Sequence, residues 1–428
     1  MEGTVNGMKH EQLRKINSWM IAILLTASFT AKMLASLNII NEGAIPIFFI
    51  AALLVSYFSA ILLGFKSFKI NKYSVILIYI VLFNFLISVF FYGSSSYAVN
   101  YFIEFLAFGM IIYLLTLIPY DGDKIIYNVM LIGNLILLNP IGYVEFITLE
   151  NLTSRVNMGA SYAMLIPVAA TIIFFFFKRK KRKSLLNLIS YLSNAYLFIL
   201  VFIEGTRGAV IAILLLIFLI CYIKLKVKIS KGILYIYPLF LTLIGIVSYI
   251  IFINIEKILL WIDHTLNNMG IEIATVTKTV HMIENQGLTG VLNGRDIVYE
   301  KSWNLIETSP IWGNGIGSYA NYNNGTYPHN IFIQLLVEGG LFLIIPFIIL
   351  FLISIWLLLR NGDNNKMIEG LESNYFILFL FIICMPKLML SSYLWREPAF
   401  WLLSFVLISI CTKIFNANSK ELIKLKKV

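Results

Sequence analysis

Three residues combine reactive chemistry with an unusual position. Arg207 follows Glu204-Gly-Thr and opens an apolar stretch. Arg295 follows Gly294 in a segment dense in glycine, asparagine, tryptophan and tyrosine. His329 lies between Pro328 and Asn330, at the head of another apolar stretch. A histidine at a membrane surface titrates near neutral pH and can take or give a proton. An arginine at the same depth can also be a plain interfacial residue with its head drawn out to water. Lys32 and Lys387 fall inside apolar runs, where a lysine costs roughly 2.5–3.5 kcal/mol on insertion scales. Each is expected either to reach outward along its stem or to be paired inside a bundle. The other histidines, His10, His264 and His281, read as ordinary surface residues. Around Gly294–Glu338 no set of His, Cys and carboxylate residues reads as a metal-ligand motif, so no metal is expected there. The run Gly313-Asn-Gly-Ile-Gly317 resembles a nucleotide loop only superficially, because no strand–turn–helix unit surrounds it. Its glycines are expected to turn the backbone tightly beside a substrate.

The elements that must position these residues follow from composition. The chain has 428 residues, of which 59% are hydrophobic and 13% charged. Soluble domains carry nearer about 25% charged residues. A soluble enzyme, a disordered protein and a disulfide scaffold are excluded. Cys221, Cys384 and Cys411 form no CxxC pair and read as small apolar residues. A membrane-crossing helix needs about 20 apolar residues. The expected fold is all-α: a polytopic bundle of about 12 transmembrane helices, with no cleaved leader. The spans fall at 17–38, 43–64, 73–92, 97–118, 125–144, 158–177, 185–203, 208–224, 233–253, 330–359, 374–394 and 396–416. Asn134, Asn139 and Pro140 interrupt the fifth, and Pro346 is expected to bend the tenth.

Charge sets the orientation. With the N-terminus inside, the inner segments hold 24 Lys and Arg and the outer ones 7. Both termini are then cytoplasmic in a protein of the cell membrane. The asymmetry accounts for the net charge of +11 without nucleic acid, and KRKKRK at 178–183 is an anchor facing anionic lipid. Residues 1–428 are expected to form one membrane domain, with a long extracytoplasmic loop at 254–329 between helices nine and ten. Ile255, Ile258, Leu259 and Ile262 share one helical face there, so the loop begins with amphipathic helices on the outer leaflet.

The chemistry-bearing segments resemble the O-antigen polymerase and ligase superfamily. Thr206-Arg207-Gly208 is similar to its Ser/Thr-Arg-Gly helix start. Gly294-Arg295, Trp303 and Pro310-Ile-Trp-Gly-Asn-Gly-Ile-Gly317 resemble its Gly-Arg helix and glycine turn. Pro328-His329-Asn330 with Gln334-Leu-Leu-Val-Glu-Gly-Gly340 resembles its His-Asn helix start. Tyr299 departs from the pattern, where a tryptophan is more typical. The resemblance covers about 200–345. It implies metal-independent glycosyl transfer, without a cofactor, from a glycan carried on undecaprenyl diphosphate at the extracytoplasmic face. Arg207 and Arg295 would clamp the diphosphate and His329 would act as base. Glu204, Asn330, Lys387 and Lys32 are accessory candidates. Partners would be the lipid-linked oligosaccharide, membrane lipid, a flippase and a chain-length regulator. The expected role is polymerisation of repeat units into capsule, exopolysaccharide or O-antigen. A ligase is the alternative, and a flippase or transporter a weaker one, since no internal repeat is visible.

Overall fold

The computed structural model describes residues 2–65, 68, 70–91, 96–149, 157–177, 184–203, 205–228, 255–268, 280, 283–284, 295–359 and 374–425. Among the described residues every regular element is helical. Eight helices are long and apolar enough to cross a membrane, or up to ten spans if two bent pairs each count as one. Among the described residues the spans thus number eight to ten, and the expected count of twelve is neither met nor overturned, because the ninth expected span lies outside them. Tyr375–Leu390, at the eleventh expected position, is apolar but shorter. The ninth expected span, the basic run at 178–183, Glu204 and His281 lie outside the described residues.

The bends have local causes. The first span breaks by 67° between Leu25 and Ala27, and the fifth by 91° between Leu138 and Pro140. At the second break Asn139 replaces the lost helical bonds, its Oδ1 accepting from the Gly142 N–H at 3.1 Å. The tenth span, Ile331–Leu359, departs from helix at Gly340 (φ 60, ψ −156) and not at Pro346. The reason is external. The loop 310–315 enters the break, where Leu341 N–H donates to Pro310 O at 3.0 Å and Phe342 N–H to Ile311 O at 3.2 Å. From the other side Asn314 N–H donates to Val337 O at 2.8 Å and Gly315 N–H to Glu338 O at 3.0 Å. A Cβ on Gly340 would collide with the Ile311 carbonyl, so backbone meets backbone only because glycine stands there.

Lipid removes the hydrophobic drive between helices, so packing and interhelical hydrogen bonds take over. Asn17 donates to Leu115 O and Ile118 O, both at 3.0 Å. Asn134 donates to Ser190 Oγ at 2.9 Å, and Ser193 donates to Asn134 Oδ1 at 2.6 Å. Each such bond contributes about 0.6 kcal/mol. The centre is aromatic: Trp395 packs on Phe85 at 4.8 Å and Trp401 on Phe105 at 4.9 Å between ring centroids. By contrast Ile45–Leu62 turns Ile47, Phe58 and Ile61 outward, as a lipid-facing helix must.

The two ends of the bundle differ. At one, Glu11, Arg14, Asp121 and Lys124 form an ion-paired cluster, and Asn71 donates to Thr412 Oγ1 at 3.0 Å. At the other, the segments around 97, 207, 295, 327 and 391 meet. The amphipathic stretch is a helix, Ile255–Asn268, with Ile258, Leu259 and Ile262 partly buried and Trp261 exposed.

Candidate active site

The second end holds the candidate site, and each of its three central residues stands at a helix start. Arg207 is the first residue of Arg207–Lys228, and Arg295 the first of Arg295–Thr308. His329 precedes Ile331–Leu359 by one residue beyond Asn330. Helix N-termini favour negative charge, so three of them meeting here create an anion-accepting end.

Local packing fixes each residue. Ser161 Oγ accepts from the Thr206 N–H at 3.1 Å, which sets the approach to Arg207. Gly208 leaves room for Tyr162, whose hydroxyl any Cβ there would strike. That hydroxyl donates to Ser391 Oγ at 3.2 Å. Arg295 donates to Leu390 O at 2.6 Å. Its helix is held against the His329 helix by Ile306, Tyr319 and Val337, which form a small core. Tyr319 also donates to Val298 O at 3.2 Å. Arg295 is near enough to act electrostatically on Arg207 and on His329.

His329 is held in the left-handed region at φ 55. A non-glycine residue there costs about 1–2 kcal/mol. Buried Pro328 on one side and the Asn330 cap on the other hold it. Asn330 Oδ1 accepts from the N–H of Phe332 at 2.9 Å and of Ile333 at 3.3 Å, an N-cap arrangement. The twist sets the imidazole against Tyr327, with ring centroids 4.3 Å apart. Its Nδ1 is shielded from solvent and has no hydrogen-bond partner among the described residues. Burial, reinforced by the Arg295 charge, pushes the His329 pKa down to about 4. The ring is neutral at physiological pH, as a base must be.

The accessory candidates separate. Asn330 caps its helix, which is a positioning role. Lys387 does not reach outward, but pairs with buried Glu397 at 2.5 Å. Lys32 is also held inside, only 4% exposed, with its ammonium 5.9 Å from the Phe146 ring centroid. The glycine turn packs on protein: a Cβ on Gly313 would meet the Glu338 and Gly339 backbone at 2.5 Å, and one on Gly317 the Ala98 nitrogen at 2.9 Å. Glu338 is fully committed, accepting from Trp395 Nε1 at 2.9 Å and from Gln334 Nε2 and the Gly317 N–H at 3.3 Å. It braces the turn. The sequence did not point to Tyr162, Tyr327, Ser391, Tyr393 or Glu104 at this end. Only Pro398, which restarts a helix after the short 391–397 loop, hinted that this loop is ordered.

Residues 192–348 match the family model described as O-antigen ligase. That segment is a domain of the O-antigen polymerase and ligase superfamily. It contains Arg207, Arg295 and His329. Neither the curated proteins nor the solved structures offer a match to this chain. The family match and the apolar helices together make this a multi-pass membrane protein with a ligase- or polymerase-type role in polysaccharide assembly.

Proposed function

We propose that the chain polymerises oligosaccharide repeat units carried on undecaprenyl diphosphate, at the outer face of the cytoplasmic membrane. The observation that carries the reading is the meeting of Arg207, Arg295 and a neutral His329, whose Nδ1 has no hydrogen-bond partner among the described residues, at one end of the bundle. The guanidinium fork suits bidentate contact with phosphate oxygens. An acceptor-sugar hydroxyl attacks the anomeric carbon of the donor glycan and gives its proton to His329. The new glycosidic C–O bond forms as the bond from the anomeric carbon to the diphosphate breaks. The diphosphate leaves with the bonding electrons, its charge held by Arg207 and Arg295. Since diphosphate is already a good leaving group, the protein supplies cations, a base and orientation.

The description of the matched family favours a second reading, transfer of the finished glycan to another carrier by the same chemistry. One assay tests both. Purified protein in detergent receives lipid-linked repeat units, alone or with the candidate carrier. A ladder from repeat units alone supports polymerisation, and transfer only onto the carrier supports ligation. Unchanged repeat units in both arms overturn the glycosyl-transfer reading.

A further inference from the structure

The reaction as written leaves unused a run of side chains that starts at His329. The Tyr327 ring centroid lies 4.3 Å from that of His329 and 5.1 Å from that of Tyr393. Tyr393 in turn lies 5.0 Å from Tyr101. The Tyr393 hydroxyl donates to Glu104 Oε1 at 2.8 Å. The other carboxylate oxygen, Oε2, is shielded from solvent and has no hydrogen-bond partner among the described residues. Arg396, exposed at the surface, acts electrostatically on both Glu104 and Tyr393.

A purely structural cluster has little reason to leave a shielded carboxylate oxygen without a donor, because that forfeits a hydrogen bond. Half-buried aromatic faces beside a carboxylate are the chemistry that holds a sugar. The C–H edges of a pyranose lie on the electron-rich ring face, and its hydroxyls donate to the carboxylate. The direction of the run says which sugar. Arg295 acts on His329, Arg396 and then Arg295 act on Tyr327, and Tyr393 is under the influence of Glu104 and Arg396. The run therefore leads away from the arginines that face the donor's diphosphate, and reaches the base from the other flank. Glu104 and Tyr393 also lie outside the segment shared with the family, where a chain's own substrate preference is expected to reside.

We propose that Tyr327, Tyr393 and Glu104 form a saccharide subsite that seats the acceptor sugar and aims its hydroxyl at His329. The acceptor role rests on the glycosyl-transfer reading. The sugar-binding role does not, and the test keeps them apart. The first probe is the repeat-unit oligosaccharide released from the producing cells' lipid-linked pool and freed of phosphate. The second is a sugar-free polyprenyl diphosphate. Both are titrated calorimetrically into the full-length protein in detergent. Tyr393→Ala and Glu104→Gln should each weaken oligosaccharide binding about tenfold, with diphosphate binding unchanged. Tyr393→Phe keeps the ring and should lose less. In the transfer assay both variants should raise the acceptor KM while leaving kcat close to wild type. Wild-type protein that binds no oligosaccharide overturns the subsite. So do variants that bind it normally, or that lose both probes together. Oligosaccharide binding that depends on Tyr393 and Glu104, in a protein that transfers nothing, upholds the subsite and sinks the acceptor role.

Discussion

The pH dependence of transfer should carry the signature of a depressed histidine. Burial, and secondarily Arg295, bring His329 down to about 4 from 6.5. At pH 7 only about one free enzyme molecule in a thousand then carries a protonated ring. Because kcat/KM reports the free enzyme, it should stay level from about pH 8 to 5. Below about 4 it should fall near tenfold per unit. Bound diphosphate reverses the local field, since it offsets the Arg295 charge and adds its own. The acid limb of kcat should therefore lie above that of kcat/KM. Arg295→Met removes only the smaller cause, so the kcat/KM limb should move part of the way back toward 6.5. His329→Gln should abolish the limb and slow transfer about 10²–10⁴-fold. Initial rates over pH 3.5–8.5 with lipid-linked repeat units in mixed micelles, read as ladder intensity, provide the assay. Incubations must be short. A histidine with a lowered folded pKa withdraws stability as pH falls from 6.5 toward 4, because the unfolded chain takes the proton first. A kcat/KM limb at 6.5, or one that survives in His329→Gln, would refute the assignment of the base.

Arg207→Lys and Arg295→Lys keep the charge and lose the fork. Each should weaken polyprenyl diphosphate binding and transfer at least about tenfold with protein level maintained, as titration and immunoblot would show. Gly208→Ala should inactivate through collision with the Tyr162 hydroxyl, and Tyr162→Phe in the same chain should restore part of the rate. Lys387→Met strands a buried carboxylate and should lower the melting temperature, whereas Lys387→Met with Glu397→Leu should recover it. In intact cells, cysteines at Thr326 and Ser392 should react with a membrane-impermeant thiol reagent and one at Ser184 should not. Labelling at Ser184 would invert the orientation.

Much of the bundle was legible because a bilayer demands about 20 apolar residues per crossing, a signal that needs no knowledge of neighbours. The break at Asn139-Pro140 was legible for the same local reason. The break at Gly340 was not, since the groups that fill it come from Pro310 to Gly315. The fates of the intramembrane lysines were equally hidden. A lysine in an apolar run can snorkel or pair, and only the fold supplies Glu397 for Lys387 and the Phe146 ring for Lys32. Arg207, Arg295 and His329 could be singled out because each heads a helix and so stands at an interface. Tyr393 and Glu104 could not, because the bond joining them spans 289 positions of sequence.

That contrast bears on how the site works. The groups proposed to face the diphosphate come from helix starts, where backbone N–H groups and a guanidinium add their charge in one direction. Their helices are pinned from behind. Glu338 joins the glycine turn to Trp395, and Gln334 Oε1 accepts from the Leu394 N–H at 3.1 Å. These bonds tie the His329 helix to the 391–397 loop, which receives Tyr162 at Ser391 just after the helix end that receives Arg295 at Leu390. One short loop thus sets the distance between clamp, base and aromatic run together. A displacement of about 1 Å there is expected to cost on the order of a hundredfold in rate. Substitutions that loosen Glu338 or Gln334 should therefore depress kcat without touching any group that meets substrate.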